Sequence, residues 1–252
     1  MTARLHKSMP LLALLLSVLA ACSAPDSGTD AAAAPETVVV SLLLFEEQEP
    51  GIEPYPVRIL VGIDYLRIDD DQDDGDFVLL NRNTGSIHSV SHENRNILVI
   101  NKQPLAMSIP ADLSLRYEAL PDNDAPTIDG IQPQQYRYYA NDELCYEAVV
   151  VPGLMQDTVA GLIEYEMLLA GQQAGSLENT PAQFRTPCYL ARYIFAPARH
   201  MRQGLPVQEW DAAGNRRLLL RLVADESVPS SLFELPQEYA SFSINRSTGD
   251  AE

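Results

Sequence analysis

Residues 55–68 read YPVRILVGIDYLRI. Val57, Ile59, Val61 and Ile63 recur at every second position, which is the side-chain period of a β-strand and places the four on one face. The segment reads as one long strand, and the chain on either side of it carries the same signature. Upstream, Thr37–Phe45 is a second apolar strand. Downstream, the acidic run Asp69–Asp76 turns the chain. Phe77–Arg82 and Ser86–Ser91 then flank Asn83, Thr84 and Gly85, residues suited to a tight hairpin because Asn and Gly tolerate positive φ. Ile97–Asn101 follows, and Leu113, Leu115, Tyr117 and Ala119 alternate with polar neighbours. Gln135–Ala140 and Cys145–Val151 form a further hairpin around Asn141 and Asp142.

The period then changes. Val159, Leu162, Ile163, Glu166, Met167 and Ala170 fit helical spacing, so Gln156–Ala170 is expected as a helix stopped by Gly171. Pro187 suits a first helical position, and Tyr189–Ala196 is expected as a second, shorter helix ended by Pro197. The strands Leu205–Trp210 and Arg217–Ala224 close the chain around Gly214, before a tail reaching Tyr239.

The opening residues are of another kind. Arg4 and Lys7 precede an apolar run from Leu11 to Ala21, too short for the roughly 20 residues of a bilayer span. Leu19, Ala20, Ala21 and Cys22 resemble the lipobox of bacterial lipoproteins at all four positions. That resemblance implies cleavage before Cys22 and lipidation of its thiol and amino group. Two or three acyl chains, at roughly 0.8 kcal/mol per buried methylene, make a slowly exchanging anchor. The alternative is a secretory signal with a chance cysteine. Ser23 in place of Asp implies the outer membrane, periplasmic face. Residues 1–21 are thus a signal peptide, 22–36 a lipidated cysteine and small, polar, proline-punctuated tether, 37–245 one β-rich domain and 246–252 a tail.

The whole chain carries 17 basic and 35 acidic residues, a formal charge of −18. Arg4 and Lys7 lie in the signal peptide and no acid does, so the mature chain is more acidic still. This composition argues against nucleic acid as a partner and against a basic membrane-binding patch. With Cys22 lipidated, Cys145 and Cys188 remain as an even pair in an oxidising compartment and are expected to be bonded, the rival reading being two buried thiols.

Chemistry-bearing patterns are few. The run Asp69–Asp76 departs from the calcium-loop pattern at Gln72 and Asn81, which leaves a weaker oxygen site or a solvated hairpin tip. His88, His92 and Glu93 lack a third ligand fixed by spacing. No nucleophile elbow, Walker motif or dinucleotide glycine motif occurs, so no catalytic residue, metal or cofactor is assigned. Trp210 and Tyr136, Tyr138 and Tyr139 read as sheet or cavity lining, and the sequon Asn245–Ser247 as chance.

The order of elements, with the closing residues Gly204, Leu205, Pro206, Val207, Asp211, Gly214, Phe233, Pro236 and Tyr239, resembles small envelope lipoproteins of the LolA/LolB-like fold. The resemblance covers about residues 37–242 and brings no catalytic residue. It implies an α+β fold: a strongly curved antiparallel sheet, an incomplete β-barrel, covered by one or two helices around an apolar cavity for an acyl chain. Val57, Ile59, Val61 and Ile63, with Val159, Leu162 and Ile163 of the helix, are the expected lining. The expected function is a lipid-anchored, non-enzymatic envelope protein that binds an acyl chain or other apolar ligand. The alternative is an envelope scaffold or partner-binding lipoprotein with a filled core.

Overall fold

A computed structural model describes residues 36–103, 108–121 and 125–243. The expected signal peptide, Cys22 and the expected tether up to residue 35 lie outside the described residues, as do 244–252. Strand β1 (Thr37–Gln48) is followed by β2 (Tyr55–Val61), β3 (Tyr65–Asp69), β4 (Phe77–Asn81), β5 (Ser86–Ser91) and β6 (Asn96–Asn101). Then come β7 (Leu115–Ala119), β8 (Gln134–Ala140) and β9 (Glu143–Val151). The helical region contains α1 (Gln156–Ser176) and α2 (Pro187–Leu190), the latter running into a π-helical turn, Ala191–Phe195. Strands β10 (Leu205–Asp211), β11 (Arg216–Pro229) and β12 (Ala240–Ser243) end the described chain.

All twelve strands join one sheet in the order β12-β6-β5-β4-β3-β2-β1-β11-β10-β9-β8-β7. Neighbours are antiparallel except β12, which runs parallel to β6. Strand β1 is central because both of its faces are apolar. Leu43 and Phe45 join Ile59, Val61, Leu66 and Leu80 on the side covered by α1, which contributes Val159 and Leu162. Val40 and Leu42 face the other way, with Leu60, Val228 and Leu232. At roughly 1.5–3 kcal/mol for each fully buried aliphatic side chain, the two layers supply the main stabilisation of the sheet.

The expected α+β, LolA/LolB-like incomplete barrel is overturned by this arrangement. The fold is mainly sheet, 44% strand against 21% helix, and the mixed twelve-stranded sheet does not close. Three local causes account for the difference. Residues 55–68 are two strands, not one: the chain reverses at Gly62–Asp64, where the Gly62 amide donates to the Tyr65 carbonyl at 2.8 Å. Strand β11 continues past Ala224 to Pro229 because Val228 packs on the second face of β1. The closing tail adds a twelfth strand, while the second expected helix shrinks to the single turn α2, capped by the Thr186 hydroxyl, and the π turn behind it.

The Cys145–Cys188 disulfide is formed, with Cα atoms 5.2 Å apart, and fastens α2 to β9. Among the described residues no helix is long and apolar enough to cross a membrane.

Candidate ligand sites

The expected cavity lining assembles in part. Ile59, Val61, Val159 and Leu162 are buried in one cluster, and Val57 and Ile163 pack half-buried against it. These side chains fill the space between α1 and the sheet with one another. Ile63 stands apart at the tip of the β2–β3 turn, 88% exposed, because the reversal at Gly62 carries it off the strand face it matches by period.

An apolar slot lies beside this core. Helix α1 packs closely at two glycines, against β2 at one and against the segment after β6 at the other. A Cβ on Gly161 would come within 2.9 Å of Val61 Cγ1, and one on Gly171 within 2.9 Å of the Gln103 carbonyl oxygen. Between these two contacts the larger side chains Ile163, Met167 and Leu168 hold the helix away from Leu80 and Gly85, leaving a slot of about 340 Å³. The volume falls within the roughly 300–1,000 Å³ of small-ligand sites.

Two cations flank the slot. Arg82 is committed: its Nε and Nη2 donate to Glu164 at 2.7 and 2.9 Å, and its Nη1 donates to the Gly62 carbonyl. Bonding to Glu164 raises the Arg82 pKa above its ordinary value despite partial burial. Lys102 is exposed at the mouth, its stem folded over Gly85, and makes no ion pair among the described residues. It is the sole lysine after Lys7.

A second, polar cleft of about 400 Å³ lies where β1, β10 and β11 meet the π turn. Its floor is an ion row across three strands, since Glu47 lies opposite Arg217 and Arg217 opposite Glu209. Arg217 Nε is 3.0 Å from Glu47 Oε1, and Arg192 Nη2 donates to Glu209 Oε2 at 3.0 Å. His200 Nε2 is 3.4 Å from Glu209 Oε1, while its Nδ1 shares a 3.3 Å hydrogen bond with the Tyr146 hydroxyl. Burial disfavours the Glu209 carboxylate, but His200, Arg192 and Arg217 outweigh it and hold its pKa well below the carboxylate range. Burial pushes the Tyr146 hydroxyl up to about 12. Nothing in the spacing of Glu47, Arg192, Glu209 and Arg217 marks them in the sequence; only strand register brings them together.

A third, surface groove of about 470 Å³ is lined by Val38, Val39, Ile63, Tyr65 and Phe233, with Val39 63% exposed.

Several of the remaining sequence candidates have structural partners. Asp69 of the acidic run is buried between Arg58, at 2.8 Å, and Arg67, at 2.6 Å, and Asp73 also accepts from Arg58. His92 Nδ1 meets the Tyr239 hydroxyl at 2.8 Å, and burial lowers the His88 pKa. Tyr138 stacks on Tyr146 with centroids 4.7 Å apart. Among the described residues no three His, Cys, Asp or Glu side chains are grouped to hold a metal ion.

No protein-family model matches the chain, and no curated protein matches it. Solved structures that resemble it include an uncharacterized conserved protein from Thermus thermophilus. It is 7% identical, with a TM-score of 0.43, and the match covers 81% of this chain and 90% of that one. PNGF-II in two crystal forms is 9% and 7% identical, with TM-scores of 0.39 and 0.42 over 83% and 82% of this chain. These matches cover 31% and 32% of the PNGF-II chain, so this chain spans about a third of its length. Likeness at this level carries no functional information.

Proposed function

We propose that the protein is a lipid-anchored envelope protein, tethered through Cys22 at the periplasmic face of the outer membrane, that holds one acyl chain of an anionic amphiphile without chemistry on it. The observation that carries this reading is the slot under α1. Its walls are Leu80, Ile163, Met167 and Leu168, and Lys102 also lines it, with no ion pair among the described residues. An apolar tail gains by leaving water for such a wall, and a carboxylate or phosphate head finds its countercharge at the ammonium. Because side chains fill the core, the tail in this reading lies beside the core and not within it.

The test is native mass spectrometry of the full chain, followed by lipid extraction. A discrete adduct of amphiphile mass, reduced in Leu168→Trp and in Lys102→Glu, is the expected result. A bare mass after incubation with fatty acids and lysophospholipids refutes it. The exposed Val39 and Ile63 favour a second reading, a partner-binding lipoprotein docking through the groove they line. That reading is the one left standing if the slot binds nothing and Ile63→Asp releases a copurifying protein.

A further inference from the structure

The helix-covered face of the sheet changes character along its strands. Phe45 lies opposite Leu219, and two residues further on Glu47 lies opposite Arg217. Alternation keeps Phe45 and Glu47 on one face, so the apolar core gives way on that face to charged residues, and Glu49 just past the strand end lines the same cleft. The Arg192 guanidinium lies 4.2 Å over the Tyr146 ring and that of Arg217 4.2 Å over the Phe45 ring, while Glu209 is 5% exposed. Burying such a row costs desolvation that the ion pairs offset only in part, and an apolar floor of the same volume would hold the fold as well. The row also leaves donors and acceptors facing the cleft that the protein does not use.

The geometry points to a neutral saccharide as the occupant of this cleft. The bonding capacity left over by the protein is of both signs. Each guanidinium has five N–H donors. Arg192 gives one to Glu209, and Arg217 meets Glu47 through Nε in an ion pair that lacks hydrogen-bond geometry. Glu49 accepts from the Tyr55 hydroxyl through Oε1 at 2.7 Å, with Oε2 left for a ligand donor. An anion near Arg192 and Arg217 also meets the carboxylates of Glu47, Glu49 and Glu209, and a cation meets the opposite penalty. Sugar hydroxyls both donate and accept without net charge, so they satisfy the two sets together. Tyr193, 42% exposed on the π turn, supplies an aromatic wall for the C–H face of a pyranose ring. At about 400 Å³ the cleft has room for a mono- or disaccharide.

The experiment is saturation-transfer difference NMR on the full chain in micelles of a sugar-free detergent, with maltose, lactose and N,N′-diacetylchitobiose as probes. Citrate and spermidine serve as charged competitors. The expected result is transfer to at least one disaccharide that neither competitor abolishes. Tyr193→Ala and Glu49→Gln, both at exposed positions, should each weaken its binding by about fivefold, the loss of roughly one contact, with the melting temperature unchanged. Three results overturn the inference: no transfer to any of the three sugars, transfer unaltered in both variants, or displacement of the sugar by citrate or spermidine.

Discussion

A ladder of saturated fatty acids of increasing length tests the slot most sharply, because its volume sets where the ladder should stop. At roughly 30 Å³ per methylene, about the share of one water molecule in the liquid, the 340 Å³ slot takes about eleven carbons. A fully buried methylene contributes about 0.8 kcal/mol. The lining residues Ile163, Met167 and Leu168 are only half-buried, so the slot is open along one side and about half of that value is the lower bound. Affinity should therefore rise about two- to fourfold per carbon and flatten near C11. Between C6 and C10 the total gain is about 1.6–3.2 kcal/mol, or roughly 15- to 200-fold. Displacement of a fluorescent fatty acid from the full chain reads the series. Leu168→Trp should move the plateau to shorter chains, and methyl esters should lose the part contributed by Lys102. A series that is flat from C6 upward, or that keeps rising past C16, refutes the assignment of the tail to this slot.

Three other outcomes follow from the fold. Replacing Cys145 and Cys188 with Ala opens a loop whose ends are 43 residues apart. The chain-entropy model puts the loss at about 4 kcal/mol, a fall in melting temperature of about 10 °C; calorimetry showing a fall under about 3 °C would contradict it. Gly171→Ala should destabilise by about 1–3 kcal/mol in urea titration, since its Cβ meets the Gln103 carbonyl oxygen at 2.9 Å; a gain in stability, as helix propensity alone predicts, would show that α1 does not press on this loop. Glu166 has its pKa raised first by burial and further by Glu209, against His200, Arg217 and Arg192. An acid that holds its proton more tightly when folded loses stability as pH rises from its unfolded value of 4.5 through its folded one. Glu166→Gln should flatten that decline between pH 4 and pH 8, and equal slopes in the two proteins would refute it.

Much of the strand content is legible in the sequence because period-2 alternation and turn residues act locally. The hairpin at Asn83–Gly85 forms where its residues require it, with the Asn81 Oδ1 accepting from the amides of Asn83 and Thr84. Helix α1 is legible for the same reason, although it passes through Gly171, where tight packing against Gln103 favours the glycine that propensity disfavours. Ile63 shows the limit of pattern: alternation continues through it although Gly62 has already turned the chain. The edge strand β12 and the extension of β11 are set by pairing with distant partners, Asn96–Val99 and Thr37–Val40, which no local signal announces. The polar cleft was illegible for a related reason. Glu47, Arg192, Glu209 and Arg217 are ordinary charged residues in sequence and become a cluster only through register.

The same register explains how so acidic a chain keeps a stable interior. Asp69 and Glu209, the two acids most deeply buried among the described residues, are matched by Arg58 and Arg67 and by Arg192 and His200, and the half-buried Glu47 is matched by Arg217. Arginine suits this task better than lysine, because its plane also lies on a ring, as Arg67 does on Phe77 at 3.9 Å and Arg217 on Phe45. Arginines thus serve as internal countercharges, and the excess negative charge is left on the solvent side. An exterior of that sign is repelled by anionic headgroups, which accords with the proposal that acylation of Cys22, and not a basic patch, would hold the body near a membrane. It also singles out Lys102, whose ammonium makes no ion pair among the described residues and which the proposed function assigns to the head of an amphiphile.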